Sequence, residues 1–210
     1  MITVKAVKTK KEQKEFLDFP LKLYKDNPYY VPPLYCDEKK IFRSDYVYLD
    51  QAEAVYFNAY DDTGKIVGRI SGIIQRASNE KNNEKRVRFT RFDAIDDQRV
   101  ADALFDAVEK WAKSKGMDTV CGPLGFSDLE REGLLIEGFN YLATFEEQYN
   151  YDYYQRLIEN CGYAKEVDWV GFQLRVPKEQ NDRLERISGL MMKKYNLHIG
   201  PAKNTKDFIK

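Results

Sequence analysis

Glu137 is the residue whose neighbours in the sequence most favour proton-transfer chemistry. It lies in the run GLLIEGF (133–139). An acid among apolar residues is expected to occupy a partly dry pocket, where burial raises the pKa of a carboxyl group and suits it to accept a proton. The alternative is a structural carboxylate that accepts hydrogen bonds from loop N–H groups. Glu130 and Glu132, slightly earlier in the chain, are expected to be solvated loop charges.

Other reactive side chains exclude several kinds of site. Cys36, Cys121 and Cys161 are far apart and form no CxxC pair, so they are expected to be reduced, buried thiols with no disulfide among them. His198 is the only histidine, which disfavours a Cys-His pair, a Ser-His-Asp site and a metal site with several histidine ligands. Neither GxxxxGK[ST] nor GxGxxG occurs, so neither standard phosphate-binding loop is predicted.

The composition predicts a folded protein with no broad charged surface. Of the 210 residues, 43% are hydrophobic, and 34 Lys and Arg balance 34 Asp and Glu. A net charge of zero argues against a nucleic-acid-binding surface. The apolar runs are too short for a membrane-spanning helix, and the first residues lack the apolar core of a signal peptide. We therefore expect a cytoplasmic protein that binds neither nucleic acid nor a membrane.

The first half of the chain predicts a strand, a helix and three antiparallel strands. Residues 2–8 alternate as a strand does, Thr9 and Glu12 fit a capping box, and Pro20 is expected to interrupt the helix that follows. Three prolines in 27–35 predict an extended connection. Further predictions are a short helix at 37–42, strands at 53–60, 65–75 and 86–96, and polar turns at 61–64 and 79–85.

The second half predicts a parallel crossover. Apolar residues from Val100 to Trp111 recur at helical spacing, which predicts a helix over 97–115, and a short strand follows at 117–124. A strand–helix–strand order implies that the second strand runs parallel to the first. The remaining predictions are a long loop at 125–150, a helix at 153–161, a strand at 169–176, a helix at 179–195 and a strand beginning at 197. The fold class is mixed α/β with a central sheet.

This order of elements resembles the GNAT superfamily of N-acetyltransferases. Five local sequences narrow the resemblance to a bacterial branch of unassigned substrate: FPLKLYKDNPYYVPPL, GRISGII, WAKSKGM, GPLGFSDLEREGLLIEGF and YNYDYYQRLIENCGYAKEVDWVGFQL. The resemblance implies an acyl-CoA N-acyltransferase fold over residues 1–195. Residues 196–210 are expected to form either a tail or the start of a second, truncated GNAT-like domain, because 197–210 repeats the plan of the first strand and helix start.

The resemblance also implies acetyl-CoA as cofactor, held at a glycine-rich turn before a helix. The matching residues are Asp93, Ala94, Ile95, Gln98, Arg99 and Val100. The turn departs from the family pattern because it has no glycine and carries two acids, Asp96 and Asp97, where a pyrophosphate would bind. Two alternatives remain open: a phosphate site, in which Arg99 offsets one charge, or a helix capped by its own Asp96 or Asp97.

Catalytic roles follow from the same resemblance. Family enzymes often use a tyrosine, four residues before a Gly-Phe, to protonate the departing thiolate. Ile158 holds that position here, before Gly162-Tyr163, and Tyr154 shares its helix face, so Tyr154 is the candidate acid. Glu137 is the candidate base for the amine. The alternative for Tyr154 is a packing role with a hydrogen-bonded hydroxyl.

Two functions remain open at the level of sequence. The first is transfer of an acetyl or other acyl group from acyl-CoA to the amine of a small molecule or peptide. The second is a catalytically inactive ligand-binding or structural half of a two-domain protein. Tyrosines near 29–48 are expected either to line an acceptor site or to cover the sheet. A second GNAT-like domain or a homodimer is the expected partner, and no metal is expected.

Overall fold

A five-stranded mixed sheet forms the centre of the first unit of the chain, residues 1–168, in a computed structural model. Residues 1–176, 178, 181–200 and 204 are described by the structure. The strands are adjacent in sequence order: β1 (Thr3–Ala6), β2 (Ala52–Tyr60), β3 (Ile66–Gln75), β4 (Arg86–Ala94) and β5 (Thr119–Cys121). The pairs β1–β2, β2–β3 and β3–β4 are antiparallel, whereas β5 runs parallel to β4.

The predicted meander and crossover are both confirmed. Asp61 turns β2 into β3, since its Oδ1 accepts hydrogen bonds from the N–H groups of Thr63 and Lys65 at 3.0 and 2.9 Å. Arg86 of β4 pairs with Thr119 of β5 in parallel register. The helix between these two strands is long enough to return the chain to the same edge of the sheet, which a tight turn could not do.

Five helices belong to the first unit. They are α1 (Lys10–Leu23), α2 (Tyr35–Glu38), α3 (Arg76–Asn82), α4 (Gln98–Ser114) and α5 (Tyr153–Asn160), and a 3₁₀ turn follows α2 at Lys39–Phe42. The predicted capping box at Thr9 and Glu12 is confirmed. The polar turn predicted at 79–85 is wrong over its first half, because α3 continues to Asn82 and ends at Asn83 in a left-handed conformation.

The prediction that Pro20 interrupts its helix is wrong, since α1 continues past it to Leu23. A proline inside a helix has no N–H and leaves the carbonyl four residues earlier without its usual donor. Here that carbonyl belongs to Phe16, and it accepts a hydrogen bond from Nη1 of Arg69 at 2.9 Å. A side chain of β3 thus replaces the missing backbone donor.

The main core lies between α4 and one face of the sheet. Val100, Leu104 and Val108 of α4 are fully buried in one cluster with Ile70 of β3 and Phe89 of β4. Phe16 and Leu17 of α1 belong to a second cluster with Ile41 and Tyr56. The helical spacing that predicted α4 therefore corresponds to its packing face.

The second unit, residues 169–210, contains the helix α6 (Asp182–Tyr195). Oδ1 of Asn181 caps it by accepting from the N–H of Leu184 at 3.2 Å. The predicted helix is confirmed over this range; residues 179 and 180 lie outside the described part of the chain.

The strand predicted at 169–176 is wrong, and residues 197–200 are not in a strand either. Alternation of apolar side chains favours a strand but supplies no hydrogen-bonded neighbour, without which no ladder forms. Of the helices described, each is too short or too polar to cross a lipid bilayer.

Candidate functional site

The turn between β4 and α4 contains all six residues expected to bind a cofactor. Asp93 and Ala94 end β4, Ile95 lies in the turn, and Gln98, Arg99 and Val100 open α4. The structure therefore brings the predicted set together. Its hydrogen bonds decide between the two alternatives left by the sequence.

Asp97 caps α4. Its Oδ1 accepts a hydrogen bond from the backbone N–H of Arg99 at 3.0 Å, and its backbone carbonyl accepts from the N–H of Val100 at 3.0 Å. The Arg99 side chain folds back onto the same carboxylate, with Nη2 to Oδ2 at 2.6 Å. The pKa of Asp97 is lowered, chiefly by the hydrogen bond from Arg99 and although burial opposes the shift. The expected self-capped helix is confirmed for Asp97, whereas Asp96 pairs with Arg156.

Two tyrosines of α5 form hydrogen bonds with the backbone of Ala94. Its N–H donates to the hydroxyl oxygen of Tyr154 at 3.0 Å, and its carbonyl accepts from the hydroxyl of Tyr153 at 2.8 Å. Next along the chain, the N–H of Ile95 donates to the carbonyl of Val67 at 3.1 Å. The N–H groups of Ala94 and Ile95 and the carbonyl of Ala94 are thus all paired within the protein.

Asp93 is the centre of a buried polar cluster. Its Oδ2 accepts from Nε of Arg69 at 2.8 Å, and both side chains are less than 10% exposed. The hydroxyl of Tyr24 lies 3.1 Å from Oδ1 of Asp93 and 2.9 Å from the hydroxyl of Tyr154. Burial, and then the nearby Asp93, raises the pKa of Tyr154 well above its usual value. Tyr154 is only 1% exposed, so its hydroxyl has no route to solvent in this conformation.

The remaining predicted cofactor residues also bond within the protein. Nε2 of Gln98 donates to Oδ1 of Asp102 at 2.8 Å and to the carbonyl of Leu157 at 3.0 Å. The side chain of Val100 is fully buried in the core.

Most backbone donors of this turn are already paired within the protein. The N–H groups of Ala94, Ile95, Arg99 and Val100 all donate to protein oxygens. A helix N-terminus binds phosphate through N–H groups left without partners, and Asp97 already holds one of these while its charge would repel an anion. The turn therefore leaves few free backbone donors for the pyrophosphate of acetyl-CoA, and these residues stay a predicted site.

Glu137 does not lie in the partly dry pocket that the sequence suggested. Its side chain is exposed, and Ile136 before it is 42% exposed. The apolar run faces two ways: Leu134 and Leu135 pack against the main core, whereas Ile136 and Glu137 are exposed. The environment of Glu137 is thus that of a surface carboxylate, and its role as base stays a prediction.

Of the tyrosines expected near an acceptor site, Tyr30, Tyr46 and Tyr48 contact other side chains, whereas Tyr29 and Tyr35 are exposed. Tyr30 stacks on Tyr24 with ring centres 4.3 Å apart, and Tyr48 stacks on Phe126 at 5.5 Å. The hydroxyl of Tyr46 donates to Oε1 of Glu130 at 3.0 Å. These contacts agree with the alternative in which the tyrosines cover the sheet.

Arg91 anchors a second cluster of charged side chains. It adopts a left-handed conformation with φ of 50° at a bulge in β4. Its guanidinium forms two bonds with Glu38, at 3.0 and 3.1 Å, and lies 3.4 Å from Glu130. A single arginine thereby joins α2, β4 and the long loop. No spacing in the sequence links these three positions.

The three thiols differ in their exposure to solvent. Cys36 is exposed and Cys121 and Cys161 are half-buried, so the expectation of full burial is wrong. Burial, together with the neighbouring Asp102, raises the pKa of Cys161 to about 12. Among the described residues, no group of three His, Cys, Asp or Glu side chains is placed to hold a metal ion.

The chain is similar to two curated bacterial proteins. It is 32% identical to "Protein YghO" of Escherichia coli K12 over 82% of this chain and 44% of that protein. It is 30% identical to "Bacterial ceramide synthase" of Caulobacter vibrioides over 82% of this chain and 45% of that protein. The chain therefore spans less than half the length of these relatives. No model of a known protein family matches it.

Solved structures to which the chain is similar are described as acetyltransferases. One is an acetyltransferase of the GNAT family from Staphylococcus aureus Mu50, with a TM-score of 0.42 and 16% identity over 57% of this chain and 71% of that one. The sheet itself shows the antiparallel meander and parallel crossover expected from the sequence. The chain is thus a protein of mixed α/β fold with bacterial relatives.

Proposed function

We propose that the chain is part of an acyltransferase that joins an acyl group to the nitrogen of an amine. The observation that carries this proposal is the 30% identity, over 82% of the chain, to a protein named a ceramide synthase. A ceramide is an amide of a fatty acid and a long-chain amino alcohol, so such a synthase forms an amide bond. The proposed acceptor of the acyl group is therefore an amine.

Formation of an amide requires a group that accepts the proton lost by the amine. Glu137 is the proposed base, acting directly or through a water molecule, because its exposed carboxylate is accessible to a substrate. Tyr154 remains the proposed acid, but its hydroxyl is bonded to Ala94 and is buried. Its participation would therefore require α5 to move away from the end of β4.

A catalytically inactive ligand-binding or structural half is the second candidate. The observation that favours it is the closed turn, in which Asp97 and Tyr154 take backbone donors that a phosphate would need. In this proposal the acyl donor binds to another domain. A second GNAT-like domain beginning near residue 196, or a second copy of the chain, is the proposed partner; residues 201–203 and 205–210 lie outside the described part.

Calorimetry and a thiol-release assay separate the two candidates. The chain is titrated with acetyl-CoA and with palmitoyl-CoA, and free CoA thiol is then measured with and without a long-chain amino alcohol such as sphinganine. Amine-dependent thiol release, lost in a Glu137→Gln variant, supports acyl transfer on this chain. Glu146→Gln is the matched control, because Glu146 is another exposed acid of the same long loop.

Absence of both binding and thiol release contradicts acyl transfer by this chain and supports the inactive half. Thiol release that persists in Glu137→Gln contradicts the role of Glu137 but not the function. Binding of acetyl-CoA with no release contradicts the closed turn as the reason for inactivity.

A further inference from the structure

The zero net charge of the whole chain hides an unequal distribution between its two units. The second unit, residues 169–210, contains 9 Lys and Arg but 4 Asp and Glu, which leaves it at +5. The first unit contains 25 Lys and Arg and 30 Asp and Glu, which leaves it at −5. A positively charged unit attracts anionic surfaces, although the charge of the whole chain does not reveal it.

Helix α6 of the second unit carries an apolar stripe that is exposed along its whole length. The stripe consists of five residues that recur at intervals of three and four positions and so share one face of the helix: Leu184, Ile187, Leu190, Met191 and Tyr195. Each of them is between 43% and 62% exposed, and within the described part of the chain α6 has no buried residue. The apolar face of α4 is buried, whereas this stripe faces solvent.

The basic residues of α6 lie beside and around the stripe. Arg183 and Lys194 stand near its two ends, and Arg186 and Lys193 lie on other sides of the helix. Against these four bases the helix has two acids, both in its first turn. A long basic side chain can lay its methylene groups along an apolar surface and keep its charged end in water. An apolar face with basic flanks is typical of helices that lie in the plane of a membrane surface.

The segment that precedes α6 exposes further large apolar side chains. Trp169, Phe172 and Leu174 are all more than half exposed. Tryptophan is enriched at the boundary between water and hydrocarbon, because its ring is apolar while its indole N–H needs a hydrogen-bond partner. Two parts of the second unit therefore carry groups suited to the same kind of boundary.

Two other occupants of the stripe agree less well with these observations. In a pair of identical chains, two second units of like charge would repel each other. The stripe of this 14-residue helix is roughly 21 Å long and about 10 Å wide, which is far less than the area of about 800 Å² that each partner buries in a stable interface. A nucleic acid would pair with the bases but would leave Leu184, Ile187 and Leu190 without apolar contacts.

We propose that α6 binds the surface of an anionic lipid bilayer, with its apolar stripe among the outer acyl chains and the bases of the second unit against the phosphate-bearing headgroups. The stripe leaves water, and the positive charge of the unit is neutralised by the lipid. The expectation that no membrane is bound concerned helices that cross a bilayer, whereas α6 would lie along its surface. The inference is independent of the proposed function, because lipid binding requires no acyl donor.

Flotation of the chain with lipid vesicles measures this binding. Vesicles of phosphatidylcholine and phosphatidylglycerol in equal amounts are compared with vesicles of phosphatidylcholine alone, at low and at physiological salt. The expected result is saturable binding to the anionic vesicles that weakens as salt is added. Binding to phosphatidylcholine alone is expected to be more than tenfold weaker, because several bases then lose their attraction to the surface.

Two variants of α6 and two matched controls separate the apolar and the charged contributions. Leu190→Ser is expected to bind anionic vesicles about tenfold more weakly, because an apolar side chain no longer leaves water. Leu129→Ser, at an exposed leucine of the first unit, is expected to bind as the unaltered chain does. Lys193→Gln is expected to bind about fivefold more weakly, and Lys110→Gln, at an exposed base of the first unit, is expected to cause no change.

Equal binding to the two kinds of vesicle would overturn the proposal, as would unchanged binding by a Leu190→Ser variant that retains its helix by circular dichroism. If Leu190→Ser loses the helix, the comparison of the two vesicles and Lys193→Gln decide the question. Sedimentation without lipid tests the second copy: a dimer that Leu190→Ser dissociates would assign the stripe to self-association and reject the lipid surface. Equal loss of vesicle binding in Leu129→Ser and Leu190→Ser would likewise reject α6 as the binding element.

Discussion

Arg69 shows how one side chain can compensate for an unfavourable residue elsewhere in the chain. Pro20 deprives the carbonyl of Phe16 of its helical donor, and Arg69 replaces it. The same guanidinium forms the buried ion pair with Asp93. Because a buried charge is costly unless paired and hydrogen-bonded, Pro20, Arg69 and Asp93 form a mutually dependent set. The hydroxyls of Tyr24 and Tyr154 both lie within hydrogen-bond distance of Asp93. The candidate acid, Tyr154, therefore belongs to the same buried network.

Asp97 offers a prediction at the same scale. An Asp97→Ala variant removes the cap and frees the N–H of Arg99 together with its guanidinium. We expect the free energy of unfolding to fall by about 1 kcal/mol, while affinity for acetyl-CoA, measured by calorimetry, rises. The physical reason is that a donor, a cation and a helix N-terminus become accessible to an anion.

Asp96→Ala is the matched control for this variant. It removes an adjacent negative charge but leaves the cap of α4 intact, because Asp96 pairs with Arg156. We expect a smaller gain in affinity from charge alone. If Asp97→Ala binds acetyl-CoA more weakly than the unaltered chain, then Asp97 assists binding and the closed turn is not an obstacle.

At the scale of elements, the close contact of α4 with the sheet depends on small residues in β3. An added Cβ at Gly68 would lie 2.8 Å from Cγ1 of Val100, 2.9 Å from Cδ1 of Leu104 and 3.2 Å from the carbonyl oxygen of Asp93. At Gly72, it would lie 3.1 Å from the ring of Trp111. The helix can therefore rest on β3 only where side chains are missing, and the position of α4 in turn fixes where its capped N-terminus meets the end of β4.

We predict that Gly68→Ala lowers the free energy of unfolding by about 1–3 kcal/mol, because overpacking forces α4 away from β3. Denaturant unfolding followed by circular dichroism measures this change. Gly189→Ala is the control: nothing lies within 4 Å of its added Cβ, and alanine is favoured inside a helix, so no loss is expected. A Gly68→Ala variant as stable as the unaltered chain would show that α4 and β3 do not pack this closely.

At the scale of the whole first unit, the Arg91 cluster joins segments that are distant in sequence. Glu38, Arg91 and Glu130 come from α2, β4 and the long loop, and the side chains of Glu38 and Arg91 are 20% and 11% exposed. Arg131 adds two more connections across the same surface, since Nη2 donates to the carbonyls of Val31 and Phe145 at 3.1 and 2.7 Å. Arg91 therefore holds α2 and the long loop to the sheet, whereas Arg131 joins the long loop to the segment that contains Val31.

The Glu38–Arg91 pair makes stability depend on pH. Burial alone would raise the pKa of Glu38, but the charge and hydrogen bonds of Arg91 outweigh it and lower the pKa to about 2, from 4.5. A lowered pKa in the folded state means that the stabilisation is complete above about pH 4.5 and is lost as the pH falls toward 2. Glu38→Gln is expected to lower the free energy of unfolding by roughly 3 kcal/mol near neutral pH, and this difference should shrink in acid.

Urea unfolding of both chains at a series of pH values measures the effect. Asp37→Asn is the control because Asp37 belongs to an exposed ion pair with Lys40, which contributes little to stability. A Glu38→Gln difference that stays constant from neutral pH to about pH 2 would contradict an ionised, paired Glu38.

The sequence determined the features that depend on neighbours along the chain. The helical spacing of Val100, Leu104 and Val108 specified α4 and its buried face, Thr9 and Glu12 specified the start of α1, and the order of strands and turns specified the meander and the crossover. It also identified the two competing readings of the β4–α4 turn, because an acid before a helix can cap it whatever surrounds it.

Tertiary structure alone decided the rest, because the outcome depended on partners distant in sequence. Pro20 is tolerated inside α1 since Arg69 reaches Phe16, and Tyr154 is sealed since α5 lies against Ala94. Glu137 is exposed and Glu132 half-buried, the reverse of what their neighbours in the sequence suggested. Local sequence describes which groups a residue has beside it along the chain, whereas burial and pairing, and with them the chemistry of a carboxylate, depend on which segments the fold brings over it.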